Sequence, residues 1–148
     1  MTSRRERSAE MQDSARQVLI IDDDEDFRAS VGSLLEAEGY AVHMAASGQD
    51  GLALARAIHP DLIILDIMME SSTEGYVVNQ ALRFCEQFEG CHDTPVIMVS
   101  SIESSPDELY PRSEEVAMIR PTVYLTKPLD FARFLETVQR LAPRGARV

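Results

Sequence analysis

The chain is poor in the features that would assign it to several specialised classes of protein. Two of its 148 residues are cysteines, Cys85 and Cys91, which is too few for a disulfide framework and typical of a reducing compartment. No apolar run approaches the roughly 20 residues of a membrane span, and the basic N-terminus lacks the apolar segment of a signal peptide. A glycine-rich phosphate loop is also missing. We therefore expect a cytoplasmic protein without membrane insertion.

Positive charge is scarce as well. The 25 acidic residues outnumber the 14 lysines and arginines, so that the formal net charge is -11. Such a charge argues against nucleic acid or an anionic membrane as the main partner, and it favours a pocket that attracts a cation. The length and the 45% hydrophobic content suit one globular domain with a proper core.

A short segment offers residues of the types that ligate metals. Cys85, Cys91, His92 and Asp93 lie within nine positions of one another. Their spacing matches no recognised metal motif. We therefore expect Cys85 to pack on a helix rather than to bind an ion.

Five short apolar runs predict five buried strands. They cover residues 18–21, 40–45, 62–65, 95–99 and 123–126. Continuous rather than alternating hydrophobicity is typical of parallel strands that are covered on both faces. Since helices are predicted between the strands, right-handed crossovers favour an α/β protein with a parallel doubly wound sheet and helices on both faces.

Hydrophobic residues at spacings of three and four predict the helices. The first is expected to end before Gly39, and Ser47 with Gly48 is expected to open the second. An irregular helix is expected near 113–119. The inward-facing residues of the four clearer helices are Phe27, Val31, Leu34 and Leu35; Leu52, Ala55 and Ile58; Val78, Ala81, Leu82, Cys85 and Phe88; and Phe131, Phe134, Leu135, Val138 and Leu141.

Acidic residues stand at the ends of two predicted strands. Asp22 and Asp23 follow the first strand, and Asp66 follows the third. These strands are neighbours in a doubly wound sheet, and ligands bind beyond the carboxyl ends of such strands, so the three acids should converge. A carboxylate there can ligate a metal or accept a phosphoryl group, whereas Asp24 or Asp26 can cap the next helix. A bound divalent cation would offset the repulsion among the acids.

An ordered set of residues, taken together, resembles a known family. The set comprises Ile21-Asp22-Asp23, Gly39-Tyr40-Ala41-Val42, Ala45, Gly48, Pro60-Asp61-Leu62, Asp66, Ser100, Tyr124 and Lys127-Pro128. Over residues 17–142 the chain resembles the receiver domain of two-component response regulators, with 1–16 and 143–148 as terminal tails. The resemblance implies a flavodoxin-like sheet with the strand order 2-1-3-4-5.

The resemblance also implies a magnesium site. Asp66 is similar to the phosphoacceptor of the family. Asp22 and Asp23 are similar to the acid pair that holds Mg²⁺ together with Asp66, and the backbone carbonyl of Met68 would be a further ligand. The implied donor is a phosphohistidine of a sensor histidine kinase or a phosphotransfer protein.

Three further residues have implied roles in signalling. Lys127 would pair with the phosphoryl oxygens, Ser100 would move to meet them, and Tyr124 is similar to the aromatic switch of the family. The implied output is a protein contact with an unknown downstream target. We expect a signalling domain rather than an enzyme, with no activity beyond slow self-dephosphorylation.

The chain departs from the family in two segments. Glu70 occupies a position that is usually proline, and Gly75 comes one residue late, so the loop after Asp66 is longer. The connection between Ser100 and Lys127 is also longer and lacks the usual glycine-alanine pair. Both changes affect the surface that meets partners more than the chemistry.

Two other classes of function remain open. A pseudo-receiver would keep the fold as a constitutive interaction module without phosphorylation, and the altered loop favours it. An aspartate-nucleophile phosphatase or hydrolase needs a second acid two residues after the nucleophile and then a threonine or valine. Asp22 to Asp26 supply the acids but not that residue. Reaction with acetyl phosphate or turnover of an aryl phosphate separates these interpretations.

Overall fold

The computed structural model of the protein describes residues 15–67, 74–101 and 123–143. The expected helix near 113–119 lies outside the described residues. Within those ranges, no helix is both long and apolar enough to cross a membrane. The elements are β1 (Gln17–Ile21), α1 (Glu25–Ala37), β2 (Ala41–Ala45), α2 (Gly48–Ile58), β3 (Leu62–Asp66), α3 (Glu74–Phe84), a 3₁₀ helix (Glu86–Cys91), β4 (Val96–Ser101), β5 (Val123–Lys127) and α4 (Phe131–Leu141).

The strands form one parallel sheet in the order β2-β1-β3-β4-β5. This order and the parallel pairing confirm the predicted doubly wound architecture. In the register of β1 and β3, Ile21 lies beside Leu65. The residues that follow these two positions, Asp22 and Asp66, therefore leave neighbouring strands at the same level.

The sheet separates two hydrophobic cores. Leu19, Ile21, Ile63 and Leu65 pack on one face with residues of α2 and α3, whereas the alternate residues of the same strands pack on the other face with α1 and α4. Because successive strand residues point to opposite faces, both faces require apolar side chains. The continuous apolar runs in the sequence follow from this, and each fully buried leucine or isoleucine stabilises the fold by about 1.5–3 kcal/mol.

The helix ends follow the local signals in the sequence. Asp24 is the N-cap of α1 and accepts hydrogen bonds from the backbone of Asp26 and Phe27. Ser47 caps α2 in the same manner. Gly39, which follows α1, has a φ of 92° that favours glycine over residues with a side chain.

Two residues that were expected to face the core are exposed. The hydrophobic pattern predicts Cys85 on the inner face of α3, but the helix ends at Phe84 and Cys85 takes an extended conformation. The chain then restarts as the 3₁₀ helix, which buries Phe88 and Cys91 in the core instead. The prediction was wrong because it extended one helical period across this break.

Phe131 is the second exception. It is the first residue of α4, and 48% of it is exposed, whereas Phe134 and Val138 are buried. Phe131 directly follows the N-cap Asp130 and so stands at the end of the helix, three positions before the first buried residue, Phe134. Phe131 there helps to line a cavity of about 430 Å³ beside Lys127 and Phe27.

Candidate functional site

Three carboxylates meet at the carboxyl ends of β1 and β3. One oxygen of Asp22, one of Asp23 and one of Asp66 all lie within 4.8 Å of one another. Asp22 and Asp66 are buried, with 1% and 6% of each residue exposed, while Asp23 is exposed. The structure thus brings together the acids that the sequence places at two neighbouring strand ends.

Asp22 is oriented by the start of α1. Its backbone N–H donates to the carbonyl of Ala45, and its Oδ1 accepts a hydrogen bond of 2.8 Å from the backbone N–H of Asp24. Arg28 donates to the carbonyl of Asp22 at 2.7 Å. These contacts leave the second carboxylate oxygen, Oδ2, directed at other members of the site.

Lys127 supplies a positive charge next to the buried acids. It ends β5, and its Nζ donates to Oδ2 of Asp22 at 2.9 Å and lies 3.9 Å from Oδ2 of Asp66. About a quarter of the lysine side chain is exposed. One ammonium between two buried carboxylates offsets part of their mutual repulsion. Lys127 is also the only lysine in the sequence.

The two candidate switch residues lie on the strands next to this site. Ser100 is buried in β4, one position beyond Val99, which lies beside Asp66 in the register of β3 and β4. Tyr124 lies in β5 and packs against the core on the α2 and α3 face. Met68, whose carbonyl is the fourth implied metal ligand, lies outside the described residues.

Phe27 is a site residue that the sequence did not indicate. The hydrophobic pattern predicts only that Phe27 belongs to the core face of α1, and it does pack against the core. The structure also places the Nζ of Lys127 4.3 Å from the centroid of its ring. This contact joins residues a hundred positions apart, so no local pattern predicts it. The one relevant signal in the sequence is that the chain has a single lysine, whose contacts can therefore be singled out.

Two groups on the α3 side of the sheet have shifted pKa values. Burial raises the pKa of the Cys91 thiol, which donates a hydrogen bond to the carbonyl of Ala55. Burial also lowers the pKa of Arg83, an effect that the nearby Asp93 partly opposes. The acids at the strand ends cause neither of these shifts.

The chemistry of the three acids suits a hard divalent cation. Mg²⁺ is commonly held by one or two carboxylates and keeps positions open for phosphate oxygens. An adjacent lysine adds a point charge for the same oxygens. The arrangement can therefore accept a phosphoryl group on a carboxylate while positive charge stabilises its oxygens.

Comparison with known proteins points to a family. The sequence profile described as response regulator receiver domain matches residues 18–139. The DNA-binding dual master transcriptional regulator RpaA of Synechocystis sp. is 36% identical over 131 residues, which cover 88% of this chain and 51% of RpaA. The chain thus spans about half the length of RpaA.

Two other similar proteins match over nearly their whole length. The polar-differentiation response regulator DivK of Brucella ovis is 32% identical over 124 residues, which cover 84% of this chain and 94% of DivK. The crystallised chemotaxis protein CheY4 of Vibrio cholerae is 32% identical, with a TM-score of 0.71 over 86% of this chain and 98% of CheY4. The chain belongs to the family of response regulator receiver domains.

Proposed function

We propose that the protein is a phosphoryl-accepting receiver of a two-component phosphorelay, phosphorylated on Asp66 with Mg²⁺. The observation that carries this proposal is the cluster of Asp22, Asp23 and Asp66, whose oxygens lie within 4.8 Å of one another beside Lys127. The donor is a phosphohistidine of a sensor histidine kinase or of a phosphotransfer protein.

The donor set fits Mg²⁺. Three carboxylates with one shared lysine retain a net negative charge, and oxygen is the ligand atom that this ion prefers. Asp22, Asp23 and Asp66 would hold the ion, with the backbone carbonyl of Met68 as a further ligand. When bound, the ion supplies positive charge to the oxygens of the phosphoryl group.

Asp66 acts as the nucleophile. One of its oxygens forms a bond to phosphorus while the bond from phosphorus to the imidazole nitrogen of the donor breaks, and the electron pair of that bond leaves with the imidazole. Asp66 is 94% buried, so its carboxylate is shielded from most of the solvent that would otherwise compete. Lys127, 3.9 Å away before the reaction, pairs with the transferred oxygens.

The new acyl phosphate changes the charge and the hydrogen bonding of the site. A phosphoryl group adds about 1.5–2 negative charges and three acceptor oxygens. The hydroxyl of Ser100 on the adjacent strand donates to one of these oxygens, and Tyr124 changes position with it. The rearranged surface then binds a downstream protein, while turnover is limited to slow self-dephosphorylation.

One observation favours a second candidate, a pseudo-receiver that binds partners without phosphorylation. The loop after Asp66 has Glu70 where the family usually has proline, and it reaches Gly75 one residue late. This loop directly follows the phosphoacceptor position, so the departure from the family pattern favours a module that binds partners without phosphorylation.

Reaction with a small phosphodonor separates the two candidates. The protein is incubated with acetyl phosphate and Mg²⁺, and intact mass spectrometry follows the gain of one phosphoryl group. Wild type should gain it, Asp66→Ala should not, and Asp50→Ala, which removes an exposed acid from the first turn of α2, should react as wild type does. An unmodified wild-type protein would favour the pseudo-receiver.

A further inference from the structure

The ring of Phe27 lies against the only lysine of the chain. The Nζ of Lys127 is 4.3 Å from the ring centroid, within the distance of about 6 Å at which an aromatic face attracts an ammonium. We propose that Phe27 is a positioning residue, whose ring keeps the ammonium of Lys127 beside Asp66 when a divalent cation occupies the acids. This inference rests on the proposed phosphoryl-accepting function.

The location of Phe27 is tied to the acids by the first turn of α1. Oδ1 of Asp22 accepts from the backbone N–H of Asp24, and Oδ1 of Asp24 accepts from the backbone N–H of Phe27 at 3.3 Å. The ring also packs against the core between the sheet and the helices α1 and α4. Phe27 is therefore held from two sides, and its ring has a defined place relative to Asp22.

Lys127 needs a partner other than Asp22. Its strongest contact is the hydrogen bond of 2.9 Å to Oδ2 of Asp22, but Asp22 also belongs to the cluster that suits Mg²⁺. A carboxylate that shares its charge with a divalent cation attracts the lysine less. The aromatic ring ligates no metal, so its attraction for the ammonium persists when the attraction of Asp22 declines.

Without the ring, the lysine has an alternative. About a quarter of its side chain is exposed, and a flexible four-carbon stem lets the ammonium turn to solvent. Each departure takes the charge away from Asp66, which is 3.9 Å from Nζ in the structure. Phe27 thus raises the fraction of time that Lys127 spends where the phosphoryl oxygens arrive.

The single lysine makes this contact directly measurable. Lysine-selective isotope labelling gives one set of side-chain NMR signals, and an aromatic face shifts the signals of nearby methylene protons to high field. We expect this ring-current shift in wild type and in Phe27→Tyr, both without and with Mg²⁺, and we expect Phe27→Leu to lose it. Phe27→Leu keeps an apolar side chain for the core, and thermal unfolding of each variant reports its folding.

Two results of this experiment would overturn the proposal. One is a wild-type ring-current shift that disappears when Mg²⁺ is added, because the contact would then be absent when it is needed. The other is the same lysine shift in Phe27→Leu as in wild type. If Phe27→Leu does not fold, the wild-type response to Mg²⁺ still decides the question.

Phosphorylation by acetyl phosphate gives the functional consequence. We expect the rate constant of phosphorylation of Phe27→Leu to be about three- to tenfold lower than that of wild type, and that of Phe27→Tyr to lie within about twofold of wild type. The Mg²⁺ affinity of both variants should be unchanged. Equal decreases of this rate constant in Phe27→Leu and Phe27→Tyr, or a decrease explained by weaker Mg²⁺ binding, would contradict positioning by the ring. If wild type is not phosphorylated at all, the proposed function fails, while the NMR result alone still decides whether Phe27 positions Lys127.

Discussion

Lys127 is hydrogen-bonded to Asp22, which directly follows the first strand and is 105 positions away in the sequence. The bond of 2.9 Å joins the end of β5 to the end of β1, which are separated by β3 and β4 in the sheet. The lysine therefore reaches across two strands to the buried acids. Its loss should affect both the stability of the fold and the proposed chemistry.

The substitution Lys127→Met should destabilise the protein in the absence of divalent cations. Asp22 would remain as a buried carboxylate without its ammonium partner. Because the lysine is partly exposed and screened by solvent, we expect the free energy of unfolding to fall by only about 1–2 kcal/mol. Urea denaturation in the presence of a chelator measures the change.

A double variant provides the control. Lys127→Met combined with Asp22→Asn removes the carboxylate that lost its partner, so it should recover most of the lost stability. A Lys127→Met protein as stable as wild type under these conditions would refute the stabilising role of the ion pair.

The N-cap residue of α1 should affect phosphorylation, whereas the N-cap residue of α4 should affect stability alone. Asp24 and Asp130 each accept two backbone hydrogen bonds at the start of a helix, so replacement of either by alanine should cost about 1 kcal/mol. The backbone of Asp24 also donates to Asp22, and its carboxylate holds Phe27. Asp24→Ala should therefore slow phosphorylation by acetyl phosphate, whereas Asp130→Ala should not. Equal rates in the two variants would show that the first turn of α1 does not orient the acids.

The two cysteines should differ in reactivity. Cys85 is exposed, whereas Cys91 is buried and burial raises the pKa of its thiol, so only Cys85 should react rapidly with an alkylating reagent in the folded protein. Mass spectrometry should find one fast modification in wild type and none in Cys85→Ser. Rapid modification of both thiols under native conditions would contradict the burial of Cys91.

The shifted pKa of Cys91 also predicts a pH dependence of stability. The folded state keeps the thiol protonated to higher pH than the unfolded chain does. The stabilisation is therefore complete below the pKa of the unfolded thiol, and it is lost as the pH rises towards the pKa of the folded one. Denaturant titrations at alkaline pH should show a steeper loss of stability in wild type than in Cys91→Ala. Parallel curves would be inconsistent with this linkage.

Met68 and Ile102 should slow the loss of the phosphoryl group. They lie two positions after Asp66 and Ser100, outside the described residues, and neither side chain can orient a water molecule for attack. The double variant with Met68→Asn and Ile102→Glu should lose the phosphoryl group faster than wild type. Equal rates of acyl phosphate hydrolysis in the two proteins would show that Met68 and Ile102 do not slow it.

Much of the fold could be predicted from the sequence because the strands are buried on both faces. The apolar runs at 18–21 and 62–65 differ by one residue at most from each end of β1 and β3. The ends of neighbouring parallel strands meet at one edge of the sheet, so the convergence of Asp22 and Asp66 followed from topology.

Features that depend on tertiary contacts or on a local break could not be predicted. The hydrophobic pattern of α3 continues into the 3₁₀ helix, and no residue between them signals the change at Cys85. Phe131 has the spacing of a core residue but is half exposed at the start of α4, where it lines a cavity. The contact of Phe27 with Lys127 depends on how α1 and β5 meet in space, which periodicity does not report.

Identification of the modified residue tests whether Asp66 is the phosphoacceptor. After reaction with acetyl phosphate and Mg²⁺, borohydride converts an aspartyl phosphate to homoserine, and peptide mass mapping locates the converted position. We expect homoserine at position 66 in wild type, with none in protein that was not exposed to the phosphodonor. Conversion at Asp22 or Asp23 instead, or no conversion of any aspartate, would contradict it.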